Sequence, residues 1–175
     1  MAYFGGAMHR VRSMKGSIAA AALLCGAVLF LWACSSETLY EQRIVLPEAG
    51  WAYEDTLSFA FEIKDTARLY TLSLEVEHSD EYPFQNLYVR IHTGYPDGKS
   101  AVQLVSLELA EKTGVWLGTC RGRTCRLRIP IQSKTYFNQP GTYTLALEQY
   151  MRRSPLPGLH SFTFRVERAE PTPPR

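Results

Sequence analysis

The sequence predicts an all-β protein: a single antiparallel β-sandwich of about eight strands, immunoglobulin-like or jelly-roll-like in layout. Three observations carry that prediction. Apolar residues alternate with polar ones in several segments of seven to ten residues, the signature of half-buried strands. Gly- and Pro-rich turns separate those segments at short spacing. No long segment repeats its apolar residues with the 3.6 period of a helix, and the pattern is that of a sandwich.

The elements follow in order. Residues 39–46 read as a first strand, closed by the turn Pro47-Glu48-Ala49-Gly50. Residues 57–63 alternate, with Leu57, Phe59, Phe61 and Ile63 on one face. Residues 70–78 alternate again, Tyr70, Leu72, Leu74 and Val76 against Thr71, Ser73, Glu75 and Glu77. After a loop holding Tyr82-Pro83-Phe84, residues 86–93 place Leu87, Val89 and Ile91 inward and Tyr88, Arg90 and His92 outward. The turn from Gly94 to Gly98 is strong. Residues 103–109 fit a strand or a helical turn, and the alternation of Val105, Leu107 and Leu109 favours the strand. Residues 125–131 set Cys125, Leu127, Ile129 and Ile131 against Arg126, Arg128 and Pro130. A proline there argues for an edge strand, because it donates nothing to a ladder. Residues 142–151 and 162–166 are the last two strands, separated by Pro155-Leu156-Pro157-Gly158.

Ahead of this domain lies a targeting segment. Arg10, Arg12 and Lys15 precede an apolar run of 14 residues at positions 18–31, and Leu31-Trp32-Ala33-Cys34 follows. A basic stretch, a short apolar stretch, a small residue and a cysteine make a lipoprotein signal peptide. The run is shorter than the roughly 20 residues a spanning helix needs. The expected organisation is a cleaved signal at residues 1–33, a lipidated tether at 34–38, the sandwich at 39–168 and a Pro-rich disordered tail at 169–175. Cys34 is the lipidation residue, carrying a diacylglycerol and an N-acyl chain. Each buried methylene contributes about 0.8 kcal/mol, so several chains anchor stably. Ser35 rather than Asp after Cys34 points to the outer membrane by analogy with Gram-negative sorting. The facing of the domain, periplasmic or outward, stays open.

Charge and cysteine content narrow the function classes. The chain has 19 basic and 17 acidic residues. Three bases and no acids precede Cys34, so the mature part is near neutral. That argues against a nucleic-acid partner, which would need a basic face. Of the four cysteines, Cys25 leaves with the signal and Cys34 takes lipid. Cys120 and Cys125 then read as a disulfide closing a hairpin tip in an oxidising envelope, not as metal ligands, which would require partners the sequence lacks.

Candidate chemistry is sparse. His78, His92 and His160 fall on or beside different strands and read as surface residues. No nucleophile elbow, zinc-helix motif or phosphate loop occurs. Glu75 and Glu77 share a strand face, which resembles a paired-carboxylate arrangement but reads better as a solvated face. The run Arg121, Arg123, Arg126 and Arg128 is either a site for lipid head groups or acidic partners, or a charged edge that discourages aggregation. Tyr82, Phe84, Tyr95 and Trp116 invite a glycan platform, and a glycan-binding surface lipoprotein is the alternative function. No catalytic residue, metal site or cofactor is expected beyond the covalent lipid.

Several stretches taken together resemble the gliding-motility lipoprotein GldH family of the Bacteroidetes. They are the Trp51 region, Tyr82-Pro83-Phe84-Gln85-Asn86-Leu87, Gly94 to Gly98, Leu109-Ala110 and Gly114-x-Trp116-Leu117-Gly118. Later come Phe137, Gly141-Thr142-Tyr143 and Gln149-Tyr150-Met151-Arg152 with Pro155-Leu156-Pro157-Gly158. The resemblance implies a non-enzymatic envelope lipoprotein. In gliding members it serves machinery that moves surface adhesins and is tied to type IX secretion, so the implied partners are envelope proteins of that machinery. Relatives occur in bacteria that do not glide, and the Cys120–Cys125 loop lies outside the family pattern. Loops with large or charged residues are where partner contacts concentrate, and Tyr82, Phe84, Arg152 and Leu156 are the candidate docking residues.

Overall fold

The computed structural model describes residue 1 and residues 37–169. The signal peptide, Cys34 and most of the tail expected from the sequence lie outside the described residues. Those described form nine strands and no helix: β1 (Thr38–Val45), β2 (Leu57–Ile63), β3 (Tyr70–Ser79), β4 (Asn86–Gly94), β5 (Ser100–Glu108), β6 (Thr119–Arg121), β7 (Thr124–Thr135), β8 (Gly141–Gln149) and β9 (Leu159–Arg168). They build two antiparallel sheets, ordered β1-β9-β3-β7-β6 and β2-β8-β4-β5. The expected sandwich is present, with one strand more than the sequence suggested.

The extra strand is β6, three exposed residues that pair Thr119 with Arg126, Cys120 with Cys125 and Arg121 with Thr124. The two cysteines face each other across this hairpin and are bridged. Such a short closed loop removes little entropy from the unfolded chain, so the bridge adds less than a long-range one. Because β6 covers only the start of β7, Pro130 lies on a free border, as its missing donor requires.

Side chains from the inner faces make the core. The alternation is strict in β2, where Leu57, Phe59, Phe61 and Ile63 are buried and Ser58, Ala60 and Glu62 are exposed. Aromatic rings bridge the two layers: Phe61 of β2 sits 5.5 Å from Phe164 of β9 and 5.9 Å from Tyr40 of β1, centroid to centroid, and stacks at 5.8 Å on Tyr143, its cross-strand neighbour in β8. Contacts of this kind add to the area term, beyond what burial alone gives.

The outer face of the five-stranded sheet carries an ion-pair lattice. Arg165 lies 2.9 Å from Glu41 and 3.2 Å from Glu75, and Glu77 receives both Arg126 at 2.7 Å and Arg43 at 3.2 Å. Arg128 pairs with Glu167 and donates to Ser73 Oγ at 2.9 Å. These long side chains shield Ser73, Ser161 and Thr163, which are buried although they point away from the core. Glu75 and Glu77 are thus partners of arginines, and Arg123 pairs with Asp80 and Glu81. Only Arg121 of the basic run makes no ion pair among the described residues.

Truncating the central aromatic should weaken the whole sandwich. Phe164→Ala is expected to cost about 3–5 kcal/mol in denaturant unfolding, whereas the exposed Val102→Ala should change stability by less than about 0.5 kcal/mol.

Candidate functional site

Strand direction sorts the connections into two ends. One end gathers residues 46–56, 80–85, 109–118 and 150–158. The other holds the turns at 64–69, 95–99 and 136–140, together with the start of β1 and the end of β9, where Thr38 pairs with Glu167. The first end contains most of the loop stretches singled out in the sequence.

Trp51 is its post. The side chain is fully buried, packs 4.9 Å from Phe162, and its indole N–H donates to the Asp55 carbonyl at 2.6 Å. Its backbone pairs with Leu156 in both directions, at 2.9 and 2.8 Å. Gly50 makes this approach feasible. It takes φ of 104°, and a Cβ there would stand 2.6 Å from the Leu156 carbonyl oxygen. Gln149 is buried and joins the two loops, its amide donating to the carbonyls of Trp51 at 3.3 Å and Arg153 at 3.0 Å while accepting from Met151 N–H at 3.0 Å. Tyr53 adds a hydroxyl bond to the Met151 carbonyl at 2.8 Å, and Ser154 Oγ accepts from the Tyr53 N–H at 3.0 Å.

The neighbouring loops are fastened in the same way. Ser79 N–H donates to Gly158 at 2.8 Å. Leu109 and Ala110 both donate to the Gln85 carbonyl, at 2.8 and 2.9 Å. Trp116 donates from its indole to Asp80 at 3.1 Å. Tyr82 packs against Phe84 at 5.8 Å and Trp116 at 6.5 Å. Burial raises the Tyr82 phenol well above the ordinary tyrosine range, so it stays neutral.

The candidate docking residues divide on exposure. Tyr82 and Leu156 are 3% and 0% exposed and stand inside the packing. Phe84 is half-buried and Arg152 exposed, and Arg152 makes no ion pair among the described residues. The four aromatics of the glycan reading do not form one platform. Tyr82, Phe84 and Trp116 cluster here, whereas Tyr95 packs on Tyr143 at the other end. Cys125, bridged to Cys120, is the cross-strand partner of His78, which packs on Trp116.

His78 corrects the surface reading of the histidines. It is fully buried, 4.6 Å from Trp116 and 5.8 Å from Tyr82. Its Nδ1 donates to the Ser79 carbonyl at 2.8 Å, which fixes the neutral tautomer and leaves Nε2 without a partner. The signal was present in the sequence: His78 continues the inward row Tyr70, Leu72, Leu74, Val76. His92 is half-exposed, 3.0 Å from Glu148, and His160 is exposed. Among the described residues no group of three or more His, Cys, Asp or Glu is placed to hold a metal.

The fold and this end define a β-sandwich domain whose distinctive feature is a loop surface sewn together by backbone bonds and buried rings. A family model described as GldH lipoprotein matches residues 38–166, and the chain belongs to that family. It is 20% identical over 150 residues to the gliding motility lipoprotein GldH homolog of Christiangramia forsetii, covering 82% of this chain and 91% of that protein. It is 22% identical over 155 residues to the gliding motility lipoprotein GldH of Flavobacterium johnsoniae, covering 85% and 96%.

Burial of His78 lowers its pKa below the ordinary 6.5, opposed by the Ser79 bond and helped by His160. The unfolded chain therefore binds a proton first. The stability this neutral histidine confers is complete above pH 6.5 and is lost as the pH falls through the depressed folded value. The urea midpoint should drop over that window, and His78→Phe should flatten the drop.

Proposed function

We propose that this chain is a lipid-anchored, non-enzymatic component of the gliding-motility and type IX secretion-associated envelope machinery. It acts by holding partner proteins at its loop end. Family membership and the names of the two relatives support the setting. The observation that carries the docking reading is the division just described. Buried Trp51, Tyr82 and Leu156 brace a rim that carries the half-buried Phe84, packed on the core, and the exposed Arg152, which makes no ion pair among the described residues. Arginine and aromatic side chains on a rigid support are the usual anchors of protein interfaces.

The proposed anchor supports the same reading. The described domain begins at Glu37, at the end opposite the loops. Cys34 stands three residues upstream, a span of roughly 10 Å when extended. A diacylglycerol and N-acyl chain on Cys34 would hold the start of β1 against the outer membrane and present the loops to other envelope proteins. Attachment and docking are then separable properties of one molecule.

Two variants test them separately. Phe84→Ala with Arg152→Ala should abolish co-purification of envelope partners while the thermal midpoint moves by no more than a few degrees. A large fall in the midpoint would assign both residues to packing. Cys34→Ala should move the protein from the membrane fraction to the soluble fraction, with the folded domain intact by circular dichroism.

A further inference from the structure

The β5 border of the four-stranded sheet differs from the other sheet borders among the described residues. β5 is hydrogen-bonded to β4 along its whole length, Asn86 opposite Glu108 through Gly94 opposite Ser100, and to no strand on its other side among the described residues. Exposed borders are ordinarily blunted by charges, prolines, bulges or shortness. β1 carries Glu41 and Arg43 in ion pairs, β2 carries Glu62, and the free length of β7 carries Arg128 and Pro130. β5 has none of these from Ser100 to Leu107, runs nine residues, and leaves Val102 and Leu104 58% and 53% exposed.

Beside this border the sandwich is open. A cleft of about 770 Å³ lies between β5 and β7, which are not paired, with Val105 and Leu107 on one wall and Ile129 and Ile131 on the other. Its floor is Phe61, Leu72, Ile91, Phe137 and Tyr143. The volume is that of a binding pocket, ordinarily about 300–1,000 Å³. The floor residues keep 3–9% of their surface exposed, whereas Leu74, Val76, Leu87, Phe162 and Val166, away from the cleft, keep none. The core is therefore reachable from here.

We propose that β5 is the acceptor edge for an added strand: an extended, uncharged segment of another protein with apolar side chains at alternate positions. Its backbone pairs with the free side of β5, and its alternate side chains enter the cleft between Val105 and Ile131. Main-chain bonds supply affinity and the cleft supplies selection, the logic of strand addition. The absence of charge from Ser100 to Leu107 favours an uncharged segment, and the charged residues that line the cleft, Asp97 and Lys99, pair with each other at 2.8 Å. A second copy of β5 fits less well. Its own Val105 and Leu107 already face its own interior, so the pair would leave both clefts unfilled. This surface is separate from the loop rim, and its failure would leave the loop reading untouched.

The test uses the full chain in detergent micelles and an acetylated nonapeptide alternating Thr with Val and Ile. Hydrogen–deuterium exchange should slow in residues 100–108 when the peptide is added. A peptide N-methylated at every second amide, on the side facing β5, should bind about tenfold more weakly, with the protein unaltered. Val105→Asp, checked for an unchanged circular dichroism spectrum, should weaken the parent peptide by at least about tenfold. No slowing in residues 100–108, or equal binding by the methylated peptide, would overturn the proposal. So would protection that rises with protein concentration alone, which would assign β5 to a second copy, or protection produced by micelles alone.

Discussion

Two sheets that share no hydrogen-bonded strand are held together by what their inner faces bury. The constraint on which everything else rests is therefore the parity of the strands. Every inward row must keep its apolar residues in register so that Phe59 and Phe61 meet Phe164 across the layers. A slip of one residue in β2 would exchange Phe59, Phe61 and Ile63 for Ser58, Ala60 and Glu62 and remove one side of the contact. The same parity fixes the outer face. It aligns Glu41, Arg165, Glu75, Arg126 and Glu77 so that β1, β9, β3 and β7 are laced by charge on the side away from the core. Individually such pairs are worth little at a surface. Their use here is to cover Ser161 and Thr163 and to keep the face from becoming an apolar patch.

Fixing the strands also fixes the ends. Antiparallel order sends the start of β1 and the end of β9 to one pole and the loops anchored by Trp51, Gln149, Tyr82 and His78 to the other. In the proposed function the lipid stands near the first pole and the docking surface at the second, so that neither would obstruct the other. The loops reach that arrangement through backbone bonds and buried rings, not through regular structure. Phe84 and Arg152 are consequently set on a braced support, and if they dock a partner as proposed, preorganised contacts of this kind lose less entropy on association.

Strand parity was the most readable feature of the sequence, because a half-buried strand writes its geometry into every second residue. Leu57 to Ile63 and Tyr70 to Val76 were legible for that reason, and Pro130 announced a border. β6 was not legible: three exposed residues carry no period, and their pairing is dictated by β7 and the Cys120–Cys125 bridge. His78 reads as a surface residue by polarity, whereas its parity in the row Tyr70, Leu72, Leu74, Val76 puts it inside. Tyr82 and Leu156 show where such reading stops. In a loop no period applies, and the burial of Leu156 depends on Trp51, a residue far away in the chain whose partner only the folded structure discloses. Ser161 and Thr163 were similarly hidden, since arginines on neighbouring strands bury them.

The central claim is that the loop pole is the face that other envelope proteins hold. A photo-reactive amino acid placed at position 152 and, in a parallel strain, at position 62 on the outer face of β2 tests it in intact cells, with mass spectrometry of the adducts. The account predicts a discrete envelope-protein adduct from position 152 and none from position 62. Equal adducts from both positions, or an adduct from position 62 alone, would contradict it.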